Sequence, residues 1–322
     1  MLKRFTSGIL IVAALVTNVH VTFGANDLAQ LAESDEEISR AATQLNTIIA
    51  ASKQQQLKEM NTIDLEHLGN LKVTDALKMI AAKKDVLQNV NGYKDLQTTG
   101  TLDDTVKMLR DKKYPIDESA LALYREIYTY KETKKVSDPV AVLQYFNAQA
   151  GLKEKPKTGI PEISFVKTAK AYSISYDSWR KLTTAEKLLI VTDPKAALIT
   201  DSLAKLAFQW TQEKFRKNGL GDQSDGYRHG IWNALMTRDI SRSWAEAYAT
   251  AHEDKSQTEL QQKEADGYYK YQHRNMDLNN NKVGRDQIQW YEYWFNCSDA
   301  TVKTRISNKL TNKSGGIIWL HS

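Results

Sequence analysis

Read for the spacing of its apolar positions, the chain is a succession of helices. Ser34-Asp-Glu-Glu37 is a helix-start pattern, followed by Ile38, Ala41, Ala42, Leu45, Ile48 and Ile49 at helical spacing. Lys53 to Gln56 prolong that helix with little to bury. Thr74 caps a run through Leu77, Ile80, Ala81 and Leu87, stopped at Gly92. Thr101 to Arg110 is shorter, and Asp117 to Tyr130 carries Leu121, Tyr124 and Ile127. Asp138-Pro139 opens Val142 to Gln149, since proline fits a helix's first turn. Residues 151–165, with Pro156 and Pro161, read as a linker, and Ile163 to Ile174 as a short extended piece.

Beyond the linker, Thr183-Thr-Ala-Glu186 predicts a capping box before Leu188, Leu189 and Ile190. Asp193-Pro194 caps a long helix with Ile199, Leu203, Leu206 and Trp210 on one face, ending at Asn218-Gly219. Ser243-Trp-Ala-Glu246 reads as another capping box, for a helix ending at His252-Glu253. After Asp277 the chain runs through Ile288, Trp290, Tyr291 and Trp294 and tails into Gly315-Gly316. The fold class is mainly α: a helical region of unknown role (25–150), then a C-terminal helical domain (166–322). Tryptophan bears out the division into two characters, all of it falling after residue 178.

Two helices depart from ordinary amphipathic patterning. In Ser224 to Met236, Tyr227, Ile231, Ala234 and Leu235 make an apolar stripe, while Asp225, His229 and Asn233 make a second stripe four residues apart. Lysine, glutamate and glutamine are the usual outward residues, so this second face is predicted to be covered as well. Asp277, Asn280, Asn281, Gly284 and Arg285 stand at relative positions 0, 3, 4, 7 and 8, a spacing that normally carries a buried apolar face. Polar groups in core registers must satisfy one another, because a buried unpaired one costs roughly 1–3 kcal/mol. The result is either a structural hydrogen-bond network or a working site.

Composition narrows the setting. The 322 residues are 41% hydrophobic and 26% charged, with a net charge of +5. Basic runs such as Lys131 to Lys135 alternate with other residues and read as solvated surface, so no nucleic-acid partner is indicated. Lys3 and Arg4 precede a short apolar run, Gly8 to Val16, and Thr22-Phe23-Gly24 offers small residues before Ala25. That is the pattern of a signal peptide over 1–24, giving a secreted or periplasmic protein with no membrane span after it. Cys297 is the lone cysteine, so no internal disulfide forms, and its surroundings suggest packing.

The candidate chemistry lies in the polar stripes. Adjacent helix residues diverge by about 100°, so His252 and Glu253 are not expected to grip one ion together. One faces the site while the other orients a neighbour. His229, His252 or Glu253, and Asp277 arrive from three helices, an arrangement that suits a divalent metal, or an Asp-oriented histidine acting as general base. Those four residues are the catalytic candidates. Asp225, Arg228, Asn233, Asn280, Asn281 and Arg285 are substrate-binding or structural, the two arginines being suited to an anionic group.

Five ordered motifs carry a family resemblance. They are Leu182-Thr-x-x-Glu186, Asp193-Pro194, Asp225-x-x-Arg228-His229-x-x-Trp232-Asn233, Ala251-His252-Glu253 and Met276-Asp277-x-x-Asn280-Asn281-x-x-Gly284-Arg285. Over about residues 182–294 the chain resembles an uncharacterised domain family of secreted bacterial proteins, some of them similar to polymorphic toxins. The family pattern has Ala-Phe where this chain has Gly226-Tyr227, and a Glu near Arg274-Asn275. The resemblance implies export and association with toxins in some members, and brings no established activity, cofactor or substrate; the His/Asp/Glu cluster is what points to a hydrolase-like or toxin-like effector. The alternative is a non-catalytic secreted binding module whose polar cluster only fixes helix register.

Overall fold

The computed structural model describes residues 35–61, 100–152, 178–289, 292 and 297–322. The expected signal peptide, the helix expected over Thr74 to Gly92 and the extended piece over Ile163 to Ile174 lie outside those residues. Among the described residues the fold is helical, with only two isolated β-bridges, Lys263 to Tyr269 and Leu310 to Ile317.

The first part supplies α1 (Asp35–Asn61), α2 (Leu102–Asp111), α3 (Glu118–Lys134) and α4 (Pro139–Leu152). Thr101 forms a full capping box with Asp104, and the Asp117 carboxylate accepts from the Ser119 and Ala120 N–H groups. Helix α4 runs through Leu152, two residues into the stretch read as linker, whose remainder from 153 is not described.

The second part begins with α5 (Thr184–Thr192) and α6 (Pro194–Phe215). Thr183 and Glu186 make the expected capping box, and Asp193 caps α6 with Pro194 in its first turn. Helix α6 ends earlier than Asn218-Gly219 suggests. Arg216 takes a left-handed conformation at φ 58° and its N–H returns to Gln212. Helices α7 (Gln223–Asp239), α8 (Arg242–His252), α9 (Gln257–Leu260), α10 (Lys270–Arg285) and α11 (Asp299–Asn308) follow. The cap of α8 is Ser241, not Ser243: its hydroxyl accepts the Trp244 N–H at 3.0 Å. Ser243 lies inside the first turn, where its hydroxyl meets that of Ser241.

A shared apolar core runs from Ile38, Ala41 and Leu45 of α1 through Leu198 and Leu203 of α6 to Val302 and Ile306 of α11. Helix α1 packs against α5 and α8, with Glu37 accepting from the Thr184 hydroxyl at 2.7 Å and Arg40 pairing with Asp254 at 3.1 Å. Helix α7 lies at the centre, touching α6, α8, α10 and α11. Its crossing with α10 is unusually close. A Cβ on Gly284 would fall inside the van der Waals shell of the Gly230 carbonyl oxygen, so only glycine lets these backbones meet. The segment after Gly316 does not trail away as a tail. Ile318 exchanges two hydrogen bonds with the Asn280 amide, each at 2.9 Å, and Leu320 N–H donates to Gly221 O at 2.8 Å.

Candidate functional site

The loop into α7 fixes the first carboxylate of the candidate site. Asp222 caps the helix through the Ser224 and Asp225 N–H groups, and Gly221 turns the chain at φ +71°. That turn aims the Gly221 N–H at Asp225 Oδ2, at 2.7 Å, while the Arg228 guanidinium donates to Oδ1. Asp225 is thereby fixed from both sides with its side chain fully inside.

Four residues on, His229 receives its orientation through a relay of amides. Arg285 can only donate, and its Nη1 reaches Asn233 Oδ1 at 3.1 Å. Asn233 must then present Nδ2 to its other neighbour, and it donates to Asn281 Oδ1 at 2.6 Å. The same oxygen lies 3.2 Å from His229 Nδ1, which therefore carries the hydrogen. Neutral His229 is left with its lone pair on Nε2. That atom stands 3.3 Å from Asp277 Oδ1 and 3.6 Å from Asp225 Oδ1. Candidate ligand atoms of Asp225, His229 and Asp277 all fall within 4.8 Å of one another.

One corner of this triangle, Asp277, is left without a donor among the described residues. Burial lowers the His229 pKa, against the raising pull of Asp225 and Glu253. Burial also lifts the Asp277 carboxyl well above the ordinary carboxylate range, helped by the charges of Glu253 and Asp225. Asp277 Oδ1 is buried and accepts no hydrogen bond among the described residues. A lone pair on Nε2 therefore faces carboxylate oxygens with no donor between them, an arrangement that takes a proton or a cation.

His252 and Glu253 diverge as their adjacency predicts. Glu253 is buried, and its charge acts on the triangle. His252 instead donates Nδ1–H to Glu186 Oε1 at 2.8 Å, and this ion pair raises the imidazole's pKa against its desolvation. The other Glu186 oxygen accepts the Thr183 N–H at 2.9 Å, so one carboxylate both caps α5 and orients a histidine of α8.

The two histidines share a cleft of about 360 Å³, whose walls include Arg228, His229, Trp232, Tyr248 and His252. The Trp232 ring sits edge-on to both imidazoles, with ring centroids 6.5 Å from His229 and 5.7 Å from His252. Thus Asp225, His229 and Asp277 converge with Glu253 near them, and His252 stands across the cleft. Asn233, Asn280 and Asn281 are structural by position, Asn280 gripping the backbone of Ile318. Arg285 is buried against Asn233 and Glu246 and does not line the cleft, so an anion-holding role there does not fit it.

Residues 187–314 match the family model of a domain of unknown function (DUF6973). No curated protein and no solved structure matches the chain. The matched span contains the whole triangle and Glu253, and it stops one residue short of Glu186.

Two cleft residues escape sequence reasoning. Glu186 reads as a cap and as one position of a family motif, and only the fold reveals that its second oxygen meets His252. Asp201 sits in the apolar run of α6 between the buried Thr200 and Ser202, and that polar interruption of a core helix is a signal that could have found it.

Proposed function

We propose that Asp225, His229 and Asp277 hold a divalent cation and that the protein is an exported hydrolase of toxin-like effector type. The observation that carries the reading is Asp277 Oδ1, a buried carboxylate oxygen without a donor, facing the lone pair of His229 Nε2. A cation bound there supplies Lewis acidity toward water and a substrate carbonyl or phosphoryl oxygen. His229, held by Asn281, presents Nε2 as a neutral ligand. Asp225 and Asp277 bring the negative charge that a hard cation requires, and the buried Glu253 adds to it. His229 opens onto the cleft, so a substrate there meets the centre from that side. Across the cleft, His252 is oriented by Glu186 and half exposed, at 50% for its side chain, placed to move a proton to or from a reacting group. Export rests on the N-terminal pattern, and sequencing of exported material should begin near Ala25.

Elemental analysis of the purified chain tests the centre. About one divalent ion per chain is expected, removable by a chelator and lost in His229→Ala. Asp277→Asn should lose the ion while keeping or gaining stability in metal-free protein, because it removes a carboxyl whose ionised form burial disfavours. Asn281→Ala should cost about 1–3 kcal/mol, since it strands His229 Nδ1–H and leaves Asn233 Nδ2 only its bond to His229 O. A wild-type protein that takes up no ion, with Asp277→Asn and Asn281→Ala destabilised in parallel, would replace this reading with the register-fixing network.

A further inference from the structure

The cleft contains a carboxylate, Asp201, that no hydrogen bond or ion pair among the described residues satisfies. Its other ionic groups are already paired. Asp117 accepts from Lys205 Nζ at 3.0 Å and from the Ser119 hydroxyl at 2.6 Å. Glu186 holds His252, and Arg228 donates to Asp225. Asp201 alone has no hydrogen bond or ion pair among the described residues, and its Oδ2 is a buried acceptor without a donor. Its helix neighbours are committed elsewhere: the Thr200 hydroxyl donates to Ala196 O and accepts from Trp244 Nε1, and the Ser202 hydroxyl donates to Pro115 O.

Around Asp201 the cleft is walled by aromatic rings, including Tyr124, Trp179, Trp232 and Tyr248. Trp232 and Tyr248 stand edge to face at 6.1 Å, and the Trp232 indole N–H is spent on Thr200 O. Ring faces attract cations, and a lone carboxylate among them asks for an N–H donor that carries positive charge.

We propose that this cleft is a binding site for an organic ammonium or guanidinium group, with Asp201 as its counter-ion and the aromatic walls as its sides. The group is the handle by which a substrate lies alongside the His229 triangle, and that assignment as substrate handle rests on the hydrolytic reading. The binding itself does not. Burial holds the Asp201 carboxyl up to about 6, with Lys205 opposing and Asp117 reinforcing, so it is largely ionised at neutral pH, in the state that binds a cation.

Titration of the full chain with n-butylammonium and n-butylguanidinium tests the site, read by calorimetry and by the fluorescence of Trp179 and Trp232, with 1-butanol as the neutral control. Both cations are expected to bind at least tenfold more tightly than the alcohol. Asp201→Asn, which keeps the shape and removes the charge, should erase that preference, and Asp201→Ala should do the same if the amide refolds the site. Asp277→Asn should leave cation binding intact while it abolishes metal uptake, so the two proposals fail separately. Equal affinity for the alcohol and the cations, or cation binding that survives both Asp201 variants, would overturn this one.

Discussion

A carboxyl with its pKa shifted by burial leaves a mark on stability that can be read without knowing a ligand. Asp201 is held up to about 6 by desolvation, whereas an unfolded aspartate titrates near about 3.9. Between those values the folded chain keeps a proton that the unfolded chain has released, so stability falls as pH rises. The contribution is complete below about pH 4 and gone above the folded value, a loss on the order of 2–3 kcal/mol. Asp117 works in the opposite sense and a lower window. Hydrogen bonding from Ser119 and pairing with Lys205 depress it to about 2, so its contribution is lost only as pH falls below about 4. The difference between wild type and Asp201→Asn isolates the first effect. Denaturant midpoints from pH 4 to pH 7 should diverge steadily in favour of Asp201→Asn. Parallel curves would show that Asp201 has an unshifted carboxyl and a partner not recognised here.

At the scale of helices, the α7–α10 crossing sets the distances from Asp277 to the two α7 corners of the triangle. Gly284 and Gly230 make different demands on it. A Cβ on Gly284 runs into the Gly230 backbone carbonyl, which cannot step aside without separating the helices. A Cβ on Gly230 meets Ile317 Cδ1 at 2.8 Å and Ile306 Cγ2 at 3.2 Å, which are ends of side chains that can turn. Gly284→Ala is therefore expected to cost about 3 kcal/mol or more and to lose metal uptake, as backbones pushed apart break the Asn281 to His229 contact. Gly230→Ala should cost less, about 1–2 kcal/mol, and retain the ion. Equal losses, measured by denaturant midpoint and elemental analysis, would count against this account of the crossing. The polar stripes were legible in the sequence because Asp225, His229 and Asn233 stand on a face where lysine, glutamate and glutamine are usual, and Asp277 and Asn281 occupy a register where apolar residues belong. That the two helices satisfy one another was legible too, but the individual partners, Asn281 with Asn233 and His229, were not, since spacing fixes a face and not the atoms it meets. Ser241 was missed as a cap for a local reason: Ser243-x-x-Glu246 has the capping spelling, but the chain turns two residues earlier. Asn280 likewise shares a face with Asn281, yet it answers to Ile318, some forty residues on, a contact that no local pattern encodes.

On the scale of the whole molecule, the span matched by the family model and the apolar core have different limits. The matched residues 187–314 include the triangle. They leave out Thr183 and Glu186, which cap α5 and hold His252, and residues 317–321, which pair with Asn280 and Gly221. They also leave out α1, whose Ile38, Ala41 and Leu45 are buried in the shared core. Each omission has a distinct physical cost. Loss of 317–321 strands Nδ2 of the buried Asn280 amide, leaves its Oδ1 only the Asn279 donor, and uncovers the Gly226 and Gly230 side of α7, against which Ile317 and Ile318 lie. Loss of α1 strips apolar cover from α5 and α8, the helices that carry Glu186 and His252, and removes the Arg40 to Asp254 pair. A fragment cut to 187–314 should therefore expose apolar surface, bind a hydrophobic dye and unfold without a sharp transition. A fragment of 178–322 restores the caps and the terminal clamp but not α1, and should unfold at lower denaturant than residues 25–322. Restoring α1 as a separate peptide should raise its midpoint as peptide is added, by mass action. If 187–314 alone unfolded as sharply and at the same midpoint as residues 25–322, the surrounding helices would be passengers, and the site would owe its geometry to α7 and α10 alone.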